Sequence, residues 1–285
     1  MVLRLGGARL LDDRDLFAVR TVLDADPVAS CMVACRVEAA GLQPWRLGGE
    51  MWGTDNRPIR GSRLDGLCFA GPNLVPLRGN RAALRTFADR AVRRGRMCSS
   101  LVGPAEQVLG LWEELTLDWG PAREVRADQP LMAMSGAPEV ATDPLVRMVR
   151  PDELDRYLPA AIAMFIEEIG IDPCADDGGA SYRARVAELI SAGRAFARFE
   201  NGEVVFKAEI GSLCRKVGQI QGVWVHPSRR GNGLATHGTA TVVDRLVRGM
   251  GRKASLYLNG YNAPAKSAYT KVGFTEVGRY ATVLF

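Results

Sequence analysis

The sequence predicts an α/β protein of two domains, each a mixed central sheet flanked by helices. Three observations carry this reading. The chain has 285 residues, 47% apolar and 24% charged, enough for two cores of ordinary globular make-up. Strand-like runs alternate with amphipathic stretches from end to end. The order of elements in the second half, β-α-α-β-β-β-α-β-α-β, is loosely matched in the first, which points to an internal duplication with one copy eroded. The expected division is a first domain over 1–134, a linker over 135–145 and a second domain over 146–285. The linker expectation rests on Ser135 to Asp143, a small, polar, Pro-containing stretch.

In the first half, amphipathic stretches run from Asp13 to about Leu23 and from Asp26 to Ala40. Short strands are expected at Gly49–Thr54, Leu64–Ala70 and Asn73–Leu77. Asn80–Arg94 reads as a helix with Ala83, Leu84, Phe87, Ala88 and Ala91 on one face. A strand at Met97–Val102, a helix at Ala105–Leu117 and a strand near Pro130–Met134 complete the half.

The second half gives clearer signals. Val146–Arg150 is a short strand, and Pro151-Asp152-Glu153 opens a helix running to Ile169, with acids in its first turn. Ser181–Ser191 is a second helix. Arg194–Glu200 and Glu203–Ile210 form a hairpin around Asn201-Gly202. In its second strand Val204, Phe206, Ala208 and Ile210 alternate with Val205, Lys207 and Glu209, and Glu209 is either a solvated strand residue or a functional carboxylate. Strands at Gly218–Val225, Ala254–Asn259 and Thr275–Leu284 follow, with helices at Gly233–Met250 and Ala263–Val272 between them.

Composition excludes several classes. The longest apolar run, Leu158 to Ile166, is far short of the roughly 20 residues a membrane span needs. The N-terminus reaches Asp12 and Asp13 without an apolar core segment, so no secretory signal is expected and a cytoplasmic protein is. Six scattered cysteines without a CxxC pair and two histidines, His226 and His237, argue against a zinc site, a disulfide framework or a Ser-His-Asp hydrolase. Cys31 and Cys35 share a helix face, as buried reduced thiols do. The net charge of +5 leaves residues 1–140 at +1 and residues 141–285 at +4. Its densest stretch, Arg90 to Arg96, lies where a helix C-terminus favours positive charge. No basic stripe is interleaved with aromatics, so no nucleic-acid partner is expected.

The sharpest local feature is Val223-Trp224-Val225-His226-Pro227-Ser228-Arg229-Arg230-Gly231-Asn232-Gly233-Leu234-Ala235. An apolar strand ends in a basic, glycine-bearing turn that opens a helix. Such a turn presents several backbone N–H groups, which add to the positive end of the helix to make a pyrophosphate site. A P-loop needs Gly-x4-Gly-Lys-Ser/Thr, which occurs nowhere. A dinucleotide fingerprint needs a third glycine, where Thr236 stands, and an acid at the end of the next strand, where Asn259 stands.

Downstream lies Leu256-Tyr257-Leu258-Asn259, then Asn262-Ala263-Pro264-Ala265-Lys266-Ser267-Ala268-Tyr269-Thr270-Lys271-Val272-Gly273-Phe274. In these two segments the sequence resembles the GCN5-related N-acetyltransferase (GNAT) superfamily. Arg230 to Ala235 is similar to its Arg/Gln-x-x-Gly-x-Gly/Ala motif, and Asn262 to Phe274 to its Asn-x-x-Ala-x-x-x-Tyr-x-x-x-Gly-Phe segment. The resemblance covers roughly Val146 to Phe285 and implies tandem GNAT-like domains, the first degenerate. In the first half the corresponding turn, Leu77-Arg78-Gly79-Asn80-Arg81, lacks Gly-x-Gly/Ala, and no Asn-x-x-Ala-x-x-x-Tyr follows. That half resembles the uncharacterised domain fused before GNAT domains in actinobacterial proteins. The ratio of 32 Arg to 5 Lys fits a GC-rich genome.

The resemblance implies acetyl-CoA as co-substrate, without a metal, and acetyl transfer to a primary amine by direct attack. Backbone groups of Val223, Trp224 and Val225, on a bulged strand, would pair with the pantetheine arm, the Val225 N–H polarising the thioester carbonyl. Arg230, Gly231, Asn232, Gly233, Leu234 and Ala235 would hold the pyrophosphate. Asn262 would contact pantetheine or cap the next helix, with Ala265 beside it. Tyr269 would protonate the departing thiolate. For the base, the central strand offers Gln219 and Gln221, which cannot serve, and Glu209 is the nearest carboxylate. His226 stands just beyond the bulged strand, as a mouth residue or a surface one. The acidic stretch Glu167 to Asp177 would draw a cationic acceptor, a small molecule or a protein amine. A silent acyl-CoA sensor and a tandem-GNAT synthase of the mycothiol type are the alternatives; the sequence names neither acceptor nor oligomeric state.

Overall fold

The computed structural model describes residues 7–55, 63–175 and 177–285. The chain forms two compact units. The first comprises Met1–Leu131, Tyr257–Gly260 and Val277–Phe285, and the second Met132–Leu256 and Tyr261–Glu276.

The first unit runs β1 (Arg9–Leu10), α1 (Leu16–Ala25), α2 (Cys31–Ala40), the short α3 (Pro44–Leu47), β2 (Glu50–Thr54), β3 (Gly66–Ala70), β4 (Asn73–Arg78), α4 (Arg81–Arg94), β5 (Ser100–Pro104), α5 (Ala105–Trp119) and β6 (Glu124–Met134). The strand order is β1-β2-β3-β4-β5. The first three contacts are antiparallel and β4–β5 is parallel. Residues Tyr280–Leu284 of the chain's last strand then pair antiparallel with β5. Asn80 caps α4 by accepting the Ala83 N–H at 3.0 Å, and the apolar face read from the sequence, Ala83, Leu84, Phe87, Ala88 and Ala91, is the buried one. It packs on Val108, Leu111 and Leu115 of α5 and on Trp52, Cys68 and Leu101 of the sheet.

The helix expected from Asp26 begins only at Cys31, because the Asp26 carboxylate accepts the Ala29 N–H and closes a turn first. β5 likewise starts at Ser100 rather than Met97. β6 starts at Glu124, six residues ahead of Pro130, over a polar segment whose outer residues are exposed and whose Arg126 is paired with Glu124.

The second unit repeats the order: β7 (Arg147–Met148), α6 (Leu154–Ile169), α7 (Ala180–Ser191), β8 (Ala195–Glu200), β9 (Glu203–Leu213), β10 (Val217–Val225), α8 (Leu234–Asp244), β11 (Lys253–Tyr257), α9 (Ala263–Val272) and β12 (Thr275–Leu284). Its strand order is β11-β10-β9-β8-β7, again antiparallel except for the parallel β10–β11 contact. The tandem α/β reading therefore holds element by element. The helix expected over 233–250 ends at Asp244 and continues as one π-turn, Arg245–Gly249. Residues 135–145 form no helix or strand, but they are not slack: buried Asp143 takes the Arg198 guanidinium at 2.9 Å, and its N–H reaches Thr241 Oγ1 at 2.9 Å.

Helices α6 and α7 close one face of this sheet with Tyr157, Ala160, Ala161, Val186 and Ile190. That cover removes the solvated alternative for Glu209, which is 4% exposed, and its neighbour Lys207 is fully buried. None of the six cysteines is in a disulfide. Among the described residues no helix is long and apolar enough to cross a membrane, and no group of three or more potential ligands could hold a metal ion.

The entry to α6 is fixed by Glu153, whose carboxylate accepts both terminal nitrogens of Arg147 at 2.7 Å and the Arg150 N–H at 3.0 Å. The Arg147 bond outweighs the upward push of burial and holds the Glu153 carboxyl at about 2. A carboxyl depressed in the folded state stabilises it above the unfolded value near 4.5 and ceases to do so as pH falls through about 2. The expected contribution at neutral pH is about 2 kcal/mol, allowing for the exposed side of Arg147. Glu153→Gln should therefore lower the Tm at pH 7 by about 5 °C and flatten the loss of stability between pH 4.5 and 2. Thermal unfolding across that range checks both, and an unchanged acid profile would contradict the assignment.

Candidate active site

The site begins where β10 parts from β11. Parallel pairing joins Val217, Gly218 and Gln219 to Lys253, Ala254 and Ser255, while β10 itself runs on to Val225. Beyond Gln219 the polar edge of β10 that faced β11 is left for another partner. On its other edge β10 is bulged: Gln221 pairs with Glu209 and Trp224 with Lys207, so three steps on β10 match two on β9. Gly222 supplies the bulge with φ +57°, and a Cβ there would lie 3.0 Å from both Lys207 Nζ and Met164 Cε, so backbone and space both require glycine.

After Val225 one 3₁₀ turn, Pro227–Arg229, leads into the glycine loop and α8. Gly233 is the residue before the helix, at φ +78°, and a Cβ on it would meet His237 Cδ2 at 3.2 Å. Asn232 is exposed, yet it is tied to its own loop and is not among the residues lining the cleft. Its Nδ2 donates to the Arg229 and Arg230 carbonyls at 3.2 and 3.4 Å, which staples the loop. Arg230 Nε donates to the Val225 carbonyl at 3.1 Å, and its Nη2 to Glu167 Oε2 at 2.7 Å.

A cleft of about 530 Å³ opens between this loop and α9. It brings together Val223, Trp224, Val225, Arg230, Gly231, Gly233, Leu234 and Ala235 with Asn262, Ala265 and Tyr269. Asn262 caps α9, its Oδ1 accepting the Ala265 N–H at 3.1 Å. Two helix N-termini and a strand's free edge thus converge on one cavity, which suits a long ligand with an anionic end. Tyr269 lines its wall and is 8% exposed. Burial, with a lesser push from the Glu168 charge, raises its phenol well above the ordinary value, so the hydroxyl keeps its proton at neutral pH.

Glu209, expected as the base, is not among the lining residues. It lies behind the sheet under α6, where Oε1 meets Lys207 Nζ at 2.9 Å and accepts the Tyr157 hydroxyl at 3.0 Å, and Oε2 accepts Gln221 Nε2 at 3.4 Å. Burial pushes its carboxyl up, but Lys207 and these bonds outweigh it, and the net shift is downward. Lys207, Tyr157 and Gln221 thus hold this carboxylate in a cluster outside the cleft lining. Gln221 spends its amide on Glu209. His226 turns onto Ser228, its Nδ1 lying 2.8 Å from Oγ.

Of the acidic stretch, Glu167 lines the cleft, where its Oε2 also accepts the Trp224 indole N–H at 3.2 Å. Asp172 accepts the Cys174 N–H within its turn, and Asp177 accepts the Gly179 and Ser181 N–H groups at the start of α7. Asp176 lies outside the described residues. Lys207 was missed in the sequence; a lysine centred in an apolar strand, two residues from a glutamate, is the signal that could have found it. The first unit has a cavity of about 330 Å³ lined by Trp52, Arg94, Cys98 and Trp119. It lies at the C-terminal ends of α4 and α5, so it is no counterpart of the cleft at the N-terminal ends of α8 and α9.

Two family models match the chain. Residues 49–157 match a domain of unknown function, DUF4081, and residues 206–283 match the FR47-like protein family. Among solved structures, the chain is similar to a GNAT-family acetyltransferase from Colwellia psychrerythraea, at 12% identity and TM-score 0.57 over 98% of this chain and 100% of that one. A GCN5-related N-acetyltransferase from Sphaerobacter thermophilus matches at 17% identity and TM-score 0.59, over 96% and 93%. A tandem GNAT protein from the clavulanic acid biosynthesis pathway matches at 16% identity and TM-score 0.50, over 97% and 98%. No curated protein is significantly similar in sequence. The chain thus shares the fold of GNAT acetyltransferase structures over nearly its whole length, and the FR47-like match spans the bulged strand, the glycine loop and Tyr269, downstream of the segment that matches DUF4081.

Proposed function

We propose that the protein transfers an acetyl group from acetyl-CoA to a primary amine, by direct attack with donor and acceptor bound together. The observation that carries this is the cleft itself: a strand edge released by β11, a glycine loop at a helix N-terminus and a buried, protonated tyrosine on one cavity. The pyrophosphate would rest on the N–H groups of Arg230 to Ala235, with the Arg230 guanidinium turning from Glu167 to it. Pantetheine would pair with Val223–Val225 as an added strand, its far side against Asn262 and Ala265. The neutral amine attacks the thioester carbon, the Val225 N–H holds the carbonyl oxygen as its charge develops, and the C–S bond breaks as Tyr269 gives its proton to sulfur.

With Glu209 ion-paired behind the sheet, the acceptor ammonium would lose one proton to cleft water before attack, and the second proton shed by nitrogen as the amide forms would return through cleft water to the Tyr269 oxygen, with Glu167 the carboxylate on that path. Glu167 and Glu168 together favour a cationic acceptor, a small molecule or a protein amine. Neither a nucleic acid nor a membrane has a role in this reading. The chemistry suits a cytoplasmic enzyme with access to acetyl-CoA. A second reading, a silent acyl-CoA sensor, is favoured by the glutamines of the central strand, Gln219 and Gln221, and by the sealed state of Glu209. A synthase of the mycothiol type, acting on an aminosugar, is the same chemistry on one acceptor class and is supported by the tandem layout.

Gly233→Val should weaken CoA binding about tenfold or more in calorimetry, through backbone strain and the close approach to His237. Unchanged affinity would remove the loop from the site. CoA-thiol release from acetyl-CoA across an amine panel tests the activity. At least one amine should accelerate release, and Tyr269→Phe should cut that rate about 100-fold with little change in donor affinity. If acetyl-CoA binds and no amine accelerates release, the sensor reading replaces this one.

A further inference from the structure

The bulge in β10 creates a problem that the backbone alone does not solve. The extra residue between Gln221 and Trp224 takes the Gly222 carbonyl out of register with β9, and a carbonyl that is half-buried and has lost its ladder partner needs another donor. The donor present is a side chain: Lys207 Nζ reaches the Gly222 oxygen at 3.1 Å. Lys207 stands opposite Trp224 in the register and is wholly buried, with its Nζ 5.5 Å from the centre of the Tyr157 ring.

A buried ammonium is tolerated only beside a counter-charge whose own bonding capacity is filled. Glu209 supplies that charge at 2.9 Å, and Tyr157 and Gln221 fill its remaining positions at 3.0 and 3.4 Å. The cluster joins α6, β9 and β10, and Lys207 carries it to the irregular backbone of the bulge. Two residues beyond Gly222 the peptide of Val225 begins. The angle at which its N–H enters the cleft depends on where the bulge sits.

We propose that Lys207, neutralised by Glu209 and Tyr157, is a positioning residue: it pins the Gly222 carbonyl and thereby aims the Val225 N–H at the acyl carbonyl of the donor. This rests on the proposed acyl transfer for its kinetic consequence, though not for its structural one. It also gives Glu209 a role without a proton transfer. The carboxylate keeps its charge because Lys207 needs it there.

The test removes both charges together, since either single change would strand the other group. Lys207→Met/Glu209→Gln should bind CoA within about twofold of the wild type, because the glycine loop is untouched. Its kcat for an accepted amine should fall about 100-fold, as when one oxyanion donor is lost, with KM for acetyl-CoA little changed and the pH–rate profile keeping its shape. Amide hydrogen exchange without ligand should quicken at least tenfold at Gly222–Val225 and stay unchanged at 230–235. A folded double variant with wild-type kcat would overturn the proposal, as would unaltered exchange at Gly222–Val225. A fall in rate with loss of the acidic limb and unaltered exchange would return Glu209 to the role of base. Equal losses of CoA affinity and kcat would mean general damage and would also overturn it. If the double variant does not fold, Tyr157→Phe, which deletes one hydroxyl, should lower kcat several-fold at constant CoA affinity; no change in kcat or exchange would overturn the proposal. If the wild type acetylates no amine, the proposed function fails on that control, while the exchange measurement still decides whether Lys207 sets the bulge.

Discussion

A strand cannot offer its backbone to a ligand while both of its edges are paired, and the second unit is built around that constraint. β10 holds β11 for three residues and then lets it go. From the fork onward the peptide groups leading to Val225 become a template for an extended arm. The rest of the site follows from this separation. It makes room for the cleft, and it sets the N-terminus of α8 directly beyond the end of β10, where the glycine loop turns the chain. α9 enters from the far side, with Asn262 as its cap and Tyr269 two turns along.

The separation also has a cost, met on the opposite face of the sheet. A free edge tends to collapse or re-pair, and a bulge leaves a carbonyl unmatched. In this unit the bulged segment is braced from beneath by an ion pair that is sealed from water. The same burial that makes an isolated lysine expensive makes the pair rigid, since neither group has solvent as an alternative. The reactive face can then stay open to substrate without the strand drifting. The first unit has the same element order and its own parallel β4–β5 contact. There α4 follows Asn80 without a Gly-x-Gly turn, and Leu84 lies 2.9 Å from where a Cβ on Gly110 would stand. The space that holds the cleft in one unit is filled by helix packing in the other.

That the glycine loop, Asn262 and Tyr269 belong to one site was legible in the sequence because each is placed by local reasons. Gly233 has to be glycine for reasons of backbone angle and space, Asn262 for a cap, and Tyr269 follows at helical spacing; each reason spans a few residues. Helix faces such as Ala83 to Ala91 were legible for the same reason. What could not be read depends on contacts between distant segments. Alternation in β9 gives Lys207 and Glu209 a shared face, but only the arrival of α6, with Tyr157 some fifty residues earlier, makes that face dry. The roles of Asn232, bonded to the carbonyls of its own loop, and of Glu167, held by Arg230 and Trp224, likewise depend on partners that spacing does not reveal. The start of β6 was not legible because its alternation puts the apolar members, Val125 and Ala127, on the exposed side, while Glu124 and Arg126 pair with each other.

The central claim is that the acyl carbonyl of the donor meets the Val225 N–H at the end of the bulged strand. Backbone amide spectra of the protein with CoA and with acetyl-CoA test it most directly. Both ligands should shift the amides of residues 230–235, and acetyl-CoA alone should move the Val225 amide proton further downfield, as a new hydrogen bond does. Identical spectra at Val225 with the two ligands would contradict the account, because the acetyl group would then lie elsewhere.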